Sequence, residues 1–165
     1  MRTFFKAIPI GALLAVALAG LSVAADLPKE GTYEYTTCFT RTSTRIDYSP
    51  AHFAYSYEES GTTAANPPGG PFDNELVRCV GMTASLDGKR SGGSVCEGTA
   101  KDGAKRLARF WYDSEGKFQR EAVAGTGKYD GLVTTGSVVT TKQLQETTPG
   151  HFEFCNRATG TYKLK

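Results

Sequence analysis

The sequence lacks the signatures of several functional classes. After residue 25 it contains no apolar run of about 18 residues, so it predicts no transmembrane helix. None of the four cysteines belongs to a C-x-x-C pair, and His52 and His151 do not combine with them into a metal-binding spacing. No G-x-S-x-G stretch marks a nucleophile, and the carboxylates show no convergent pair. We therefore predict no metal site, no cofactor and no catalytic residue.

The sequence also lacks an excess of charge of one sign. Of its 19 Lys and Arg residues, Arg2 and Lys6 lie within the first 25 positions, and Asp and Glu together number 17. Beyond residue 25, basic and acidic residues are therefore equal in number. Because binding to nucleic acid requires a basic surface, we do not expect a nucleic acid as a partner.

Residues 1–25 have the composition of a secretory signal peptide. A basic start precedes the apolar segment Ala7–Leu21, and small residues lead up to Ala25. We expect cleavage after Ala25, a periplasmic or secreted product, and one domain over residues 26–165. A lipid anchor is not expected, because the first cysteine, Cys38, lies well beyond the cleavage site.

The rest of the sequence is rich in β-forming residues and shows no sustained helical periodicity. Thr, Tyr, Phe and Val alternate with polar residues between turns that contain Gly, Asp or Pro. The long segment from Gly61 to Asn74 is expected to cap one end of the sheet. We predict eight strands, at about residues 32–46, 50–59, 75–85, 90–100, 105–113, 117–124, 131–142 and 151–163.

Four cysteines in an exported chain of this size predict two disulfides. The Asp-Gly pair at residues 87–88 is a strong signal for a two-residue hairpin turn, and counting outward from it places Cys79 opposite Cys96. Cα atoms in such a pair are about 4.5 Å apart, which a disulfide accepts. Cys38 is left to pair with Cys155, which joins the first strand to the last.

An end-to-end link of this kind favours a closed sheet. We predict an all-β fold: an eight-stranded antiparallel closed barrel, stapled by the disulfides, in which the first and last strands are neighbours. The alternative is an immunoglobulin-like sandwich, but there the tryptophan packs against an inter-sheet disulfide, whereas Trp111 follows three of the four cysteines. On the barrel, Trp111 faces outward, where it either packs locally or contacts a partner.

One glycine-rich segment resembles a motif of a known family. Gly125-Thr126-Gly127-Lys128-Tyr129-Asp130-Gly131 is similar to the G-T-G-K-Y/F-x-G stretch that joins two late strands in proteins with the allene oxide cyclase and dirigent barrel. Asp102-Gly103-Ala104-Lys105 resembles the D-G-D-K turn of their bacterial exported members, and Gly160-Thr161-Tyr162-Lys163 fits their closing strand. The resemblance covers residues 100–165 and implies a calycin-like barrel with an apolar cavity, often in homo-oligomers. It places no catalytic residue on this sequence.

The spacing of Gly125, Gly127 and Gly131 also has a physical interpretation. Glycines permit positive φ angles and a close approach of the backbone at a barrel corner. Tyr129 lies between them and is expected to cover the open end of the barrel.

Strand alternation predicts an aromatic interior that contains one charged pair. If both disulfides face outward, Arg78 and Glu97 oppose each other inside the barrel and form a polar anchor in an apolar pocket. The neighbouring turns place aromatic residues and one more arginine on the same face. The predicted ligand-binding residues are Arg78, Glu97, Phe110, Tyr112, Arg120, Tyr55 and Tyr57.

The opposite orientation of this pair stays open at this point. If the Cys79–Cys96 disulfide faces the core, Arg78 and Glu97 form an ordinary exposed cross-strand pair. A shift of one residue in the register would reverse every such assignment.

These features predict an exported, non-enzymatic barrel that binds a small apolar or amphiphilic molecule. Two alternatives remain. A barrel with a filled interior would be a structural or interaction protein that acts through its outer face or an oligomer interface. A cyclase or isomerase would shape a reactive lipid-like substrate by confinement. An open cavity would favour binding or cyclisation, whereas a filled interior would favour the structural role.

Overall fold

The computed structural model describes residues 27–165, and the predicted signal peptide, residues 1–25, lies outside them. The described chain is all-β, with a short 3-10 turn at Gly127–Tyr129. None of its helices is long and apolar enough to cross a membrane. The strands are β1 (Glu30–Ser49), β2 (His52–Ala65), β3 (Leu76–Leu86), β4 (Lys89–Thr99), β5 (Lys105–Tyr112), β6 (Phe118–Gly125), β7 (Val133–Thr148) and β8 (His151–Lys163).

All eight predicted strands are confirmed, and the turn between β3 and β4 has the predicted form. Asp87 and Gly88 have φ angles of 52° and 74°. A two-residue type I′ turn requires positive φ at both central positions, which explains the Asp-Gly pair. Leu86 pairs directly with Lys89, so this hairpin has the register counted from the sequence.

The strands form one antiparallel sheet in the order β6-β5-β4-β3-β2-β1-β8-β7. The prediction that β1 and β8 are neighbours is confirmed, but the prediction of a closed barrel is wrong: the sheet is a half-barrel with β6 and β7 at its edges. The connector between these strands is folded on itself and is not a tight hairpin. It hydrogen-bonds to itself, from Leu132 N to Tyr129 O and from Tyr129 N to Thr126 O, and therefore starts no ladder between β6 and β7.

Both predicted disulfides are present, Cys38–Cys155 and Cys79–Cys96. In each, the two cysteines face each other across neighbouring strands. Such bonds are typical of proteins that fold in an oxidising, extracellular or periplasmic environment. They are consistent with the predicted export, while the cleavage after Ala25 lies outside the described residues.

The two disulfides lie on opposite faces of the curved sheet. Cys38 is exposed on the convex face, as predicted, whereas Cys79 is 1% exposed and lies on the concave face. The prediction that both disulfides face outward is therefore wrong for Cys79–Cys96. The physical reason is that this face of β3 also carries Val77 and Thr83, so the compact disulfide completes a buried row.

The register between β4 and β5 differs by one residue from the predicted one. Cys96, rather than Glu97, lies opposite Ala108. The cause is an extra loop residue, because Ala100 N bonds to Ala104 O and leaves three residues in the turn instead of two. This shift and the reversed face of the Cys79–Cys96 disulfide cancel in their effect on β5. Ala108 therefore faces the concave side, as predicted.

The main hydrophobic core lies at one end of the sheet, which we call the closed end. The segment between β2 and β3 folds over this end, as predicted, and inserts Phe72. Asp73 holds the segment by accepting hydrogen bonds from Ala65 N and Gly69 N, both at 2.8 Å. These bonds lower the pKa of Asp73. The buried core residues are Tyr33, Tyr35, Ala65, Phe72, Ala100, Ala104, Tyr129, Leu132, Ala158 and Tyr162.

Candidate functional site

The concave face of the sheet encloses a cavity of about 430 Å³. Its volume lies within the range of about 300–1,000 Å³ that small-molecule sites occupy. Small side chains and the Cys79–Cys96 disulfide line its deep part, towards the closed end. Aromatic rings line the rest, and we call them the aromatic belt: Phe39, Tyr55, Tyr57, Phe110, Tyr112, Phe118 and Phe154.

The pairing of the strands brings the two sides of the aromatic belt to the same level. Tyr57 pairs with Gly81, Gly81 with Ser94, and Ser94 with Phe110. Gly81 is necessary here, because a Cβ at this position would lie 2.6 Å from the ring of Tyr57. A glycine between two aromatic strands thus lets Tyr57 lie flat against the sheet and leaves the space above it open.

Four of the predicted ligand-binding residues line the cavity: Tyr55, Tyr57, Phe110 and Tyr112. The rings of Phe110 and Phe118 stack at 5.9 Å, and those of Tyr55 and Tyr57 lie 5.6 Å apart. The predicted pairing of Phe110 with Arg120 is also confirmed. Arg120 is directed to the closed end, where its Nη1 donates to Tyr33 Oη at 2.8 Å.

The predicted polar anchor does not lie in the cavity. Arg78 and Glu97 face each other as counted, but on the convex face, so the prediction that they point inward is wrong. Arg78 is 71% exposed and contacts Glu58, while Glu97 pairs with Lys105 at 2.9 Å. The bond from Lys105 lowers the pKa of Glu97. Because the disulfide of these two strands takes the concave face, their flanking residues must point the other way.

A different ion pair, Arg41 with Glu59, lies in the cavity. Arg41 Nε donates to Glu59 Oε1 at 2.7 Å, and Nη2 contacts the same oxygen. The guanidinium also lies over the rings of Tyr57 and Phe154, 4.5 and 4.8 Å from their centroids. Glu59 is 8% exposed, and burial raises its pKa although Arg41 acts in the opposite direction.

Sequence reasoning missed this pair although the signal was present. Glu59 follows Tyr55 and Tyr57 in the same alternating series of β2, and Arg41 continues the series of Tyr33 and Tyr35 in β1. Glu59 is the last residue of the predicted second strand, where a charged side chain is usually solvated. The strands in fact continue beyond their predicted ends, to Ser49 and Ala65.

A second buried ion pair stabilises the closed end. Arg106 Nε donates to Oε2 of the fully buried Glu75 at 2.6 Å, and its guanidinium lies 4.6 Å from the ring centroid of Phe72. Burial and the negative charge of Glu75 both raise the pKa of Tyr129, which keeps the phenol neutral. We interpret this cluster as structural support for the floor of the cavity.

The glycine-rich connector has a tight backbone at the same end. Gly127 and Gly131 have φ angles of 57° and 68°, and a Cβ at Gly125 would lie 1.8 Å from Tyr129 O. The ring of Tyr129 is buried against Phe72, at 5.7 Å between centroids. The connector therefore needs glycine at these positions, and Tyr129 fills the closed end.

Trp111 is half-buried on the convex face, with the guanidinium of Arg109 4.4 Å from its ring centroid, which favours local packing. Within residues 27–165, no group of His, Cys, Asp and Glu is arranged to hold a metal ion.

No family model, curated protein or solved structure matches the chain. The likeness to the allene oxide cyclase barrel therefore remains a prediction from the sequence motifs.

Proposed function

We propose that this protein is an exported binding protein that holds a small amphiphilic molecule in its concave cavity. The single observation that carries the proposal is the composition of the cavity, an aromatic belt with the buried pair Arg41–Glu59 on one wall. Ligand sites are typically apolar with a few fixed polar groups. The rings offer apolar surface to a ligand. Burial of this surface stabilises the complex by about 25 cal/mol per Å².

Binding is favoured over catalysis by the chemistry of the lining. Among the described residues, the lining contains no histidine, and its carboxylate, Glu59, is bonded to Arg41. General acid–base catalysis needs a group that is free to exchange a proton with the substrate. An open cavity also favours binding over the structural role of a filled barrel.

The order of the strands supports a relationship to the allene oxide cyclase type of barrel. Except for β6 and β7, successive strands are neighbours, and β1 pairs with β8, which is the cyclic order of an eight-stranded up-and-down barrel opened between β6 and β7. The family resemblance also implies a homo-oligomer. Native mass spectrometry of protein purified from its own compartment would report bound ligand and oligomeric state together.

The binding proposal is tested by filling the cavity. Ala108 lines the deep part, and Ala108→Leu would place three more carbon atoms in it. We expect the wild type to bind the neutral fluorescent probe N-phenyl-1-naphthylamine and the variant to bind it at least about ten-fold more weakly. The matched control is Ala84→Leu on the convex side of β3, which should leave binding unchanged. Equal affinity of both variants, or no binding by the wild type, would contradict the proposal.

A further inference from the structure

The charged side chains that line the cavity are mainly arginines. Arg41, Arg90 and Arg106 line it, and Glu59 is the one carboxylate in the lining among the described residues. Arg41 is paired with Glu59, and Arg106 is paired with Glu75. The cavity therefore has one more positive charge than these two pairs neutralise.

Arg90 carries this additional charge. Within residues 27–165, no carboxylate oxygen lies within 4.0 Å of a guanidinium nitrogen of Arg90, so Arg90 forms no ion pair there. Arg90 pairs with Ser85 next to the Asp87-Gly88 turn, at the end of the sheet opposite the closed end. We call this end the mouth of the cavity. A guanidinium at this position can bind an anionic ligand without first breaking an ion pair within the protein.

A path of small side chains leads from Arg90 into the cavity. Along β4, the same face passes Gly92 and Ser94 before it reaches Cys96 of the buried disulfide. Six residues of strand span about 20 Å. Phe110 flanks this path on the neighbouring strand β5, and Tyr55 and Tyr57 flank it on β2, beyond β3.

A second arginine, Arg41 of β1, lies across the concave face at the level of the Cys79–Cys96 disulfide and is also suitably oriented. Arg41 uses Nε and Nη2 for a single oxygen of Glu59, so its Nη1, on the other side of the planar guanidinium, points away from that carboxylate. Arginine is the side chain best suited to bind a carboxylate, since its donors match the geometry of the two oxygens. The wall therefore offers one unpaired and one partly used guanidinium beside apolar rings.

We infer that the ligand is an amphiphile with one carboxylate or similar anionic group, which Arg90 binds at the mouth while the apolar chain lies on the aromatic belt. This inference rests on the proposed function and specifies its ligand class. A neutral amphiphile would leave Arg90 unused, and a cationic one would be repelled by it.

The test compares ligands that share a chain and differ in the head group. Decanoic acid, decan-1-ol and decyltrimethylammonium, each below its micelle concentration at neutral pH, compete with N-phenyl-1-naphthylamine for the wild type. We expect the acid to displace the probe at a concentration about ten-fold lower than the alcohol does. Raising the salt concentration should weaken the acid and leave the alcohol unchanged, because salt screens exposed charges.

Two exposed arginines supply the matched variants. Arg90→Gln should remove most of the advantage of the acid, whereas Arg78→Gln, on the convex face, should retain it. If the alcohol displaces the probe as well as the acid, or if the ammonium compound binds most tightly, the anionic preference is overturned while the binding function stands. If the wild type does not bind the probe, the proposed function itself fails.

Discussion

The hydroxyl of Tyr33 connects the two edges of the sheet. It accepts a hydrogen bond from Arg120 Nη1 at 2.8 Å and donates one to the carbonyl oxygen of Thr135 at 3.0 Å. Arg120 belongs to β6 and Thr135 to β7, the strands at the open seam. A side chain of β1, an inner strand of the sheet, therefore joins two strands that share no backbone ladder.

Removal of this hydroxyl should loosen the seam. Tyr33→Phe keeps the buried ring but leaves a guanidinium and a carbonyl without their partner, which should lower the free energy of unfolding by about 1–3 kcal/mol. Amide hydrogen exchange should accelerate in β6 and β7 more than in β2 and β3. The control is Tyr162→Phe in the same core, where burial is the cause that raises the pKa of the phenol. Equal effects of the two variants would refute a specific role for Tyr33.

The buried Glu59 should give stability a characteristic pH dependence. Its pKa is raised above the ordinary value of 4.5, chiefly by burial, so the folded chain holds this proton more tightly than the unfolded chain does. The contribution of Glu59 to the free energy of unfolding must therefore decrease as the pH rises from 4.5 through the raised pKa, and stay constant above it. Denaturant titrations of the wild type and Glu59→Gln at a series of pH values would measure the difference.

The control for Glu59 is its exposed neighbour on β2. Glu58→Gln removes a carboxylate that is 67% exposed and should leave the pH profile of the wild type nearly unchanged. A difference between wild type and Glu59→Gln that grows with pH would mean that the pairing with Arg41 outweighs burial.

The two disulfides should differ in both stability and binding. Cys38–Cys155 closes a sequence separation of 117 residues, and Cys79–Cys96 one of 17. In the chain-entropy model, replacing the first pair by alanines should cost about 5 kcal/mol and the second about 3 kcal/mol. Denaturant unfolding of both double variants would measure these losses. Only the second replacement should change probe binding, because only that disulfide lines the cavity. A larger loss of stability from the second would contradict the model.

Turn chemistry explains why so much of the fold could be predicted. The Asp-Gly pair at residues 87–88 determines the register of β3 on β4 locally, and that register brings Cys79 and Cys96 together. The remaining two cysteines, Cys38 and Cys155, could then pair only with each other. These predictions depend on neighbouring residues and on counting, so they needed no knowledge of the tertiary packing.

The face that each strand buries could not be predicted in the same way. Alternation gives a period of two but does not say which half of the residues faces inward. In β3 both halves are apolar in part, because Val80 and Met82 are exposed while Val77 and Cys79 are buried. The compact disulfide fits the concave side, and Arg78 is thereby turned outward. Only the packing of the neighbouring strands decides this choice.

Whether the sheet closes into a barrel also could not be predicted from the strand pattern. Whether β6 meets β7 depends on seven connecting residues, 126–132, which bond to one another and, through Thr126 N, to Lys105 of β5. A glycine-rich segment of this kind is compatible with a corner in a closed barrel and with a break in an open sheet. The sequence motif alone does not distinguish the two.

The position of β8 between β1 and β7 has a consequence for the order of folding. Strands β2 to β6 can assemble one hairpin at a time as the chain emerges. One edge of β1, however, stays unpaired until β8 pairs with it, and β8 lies more than a hundred residues later in the chain. Contacts this distant in sequence form slowly. The ring of Phe154, which stacks on Phe39 at 5.2 Å, comes with that late strand. The cavity is therefore completed last, after nearly the whole polypeptide has emerged.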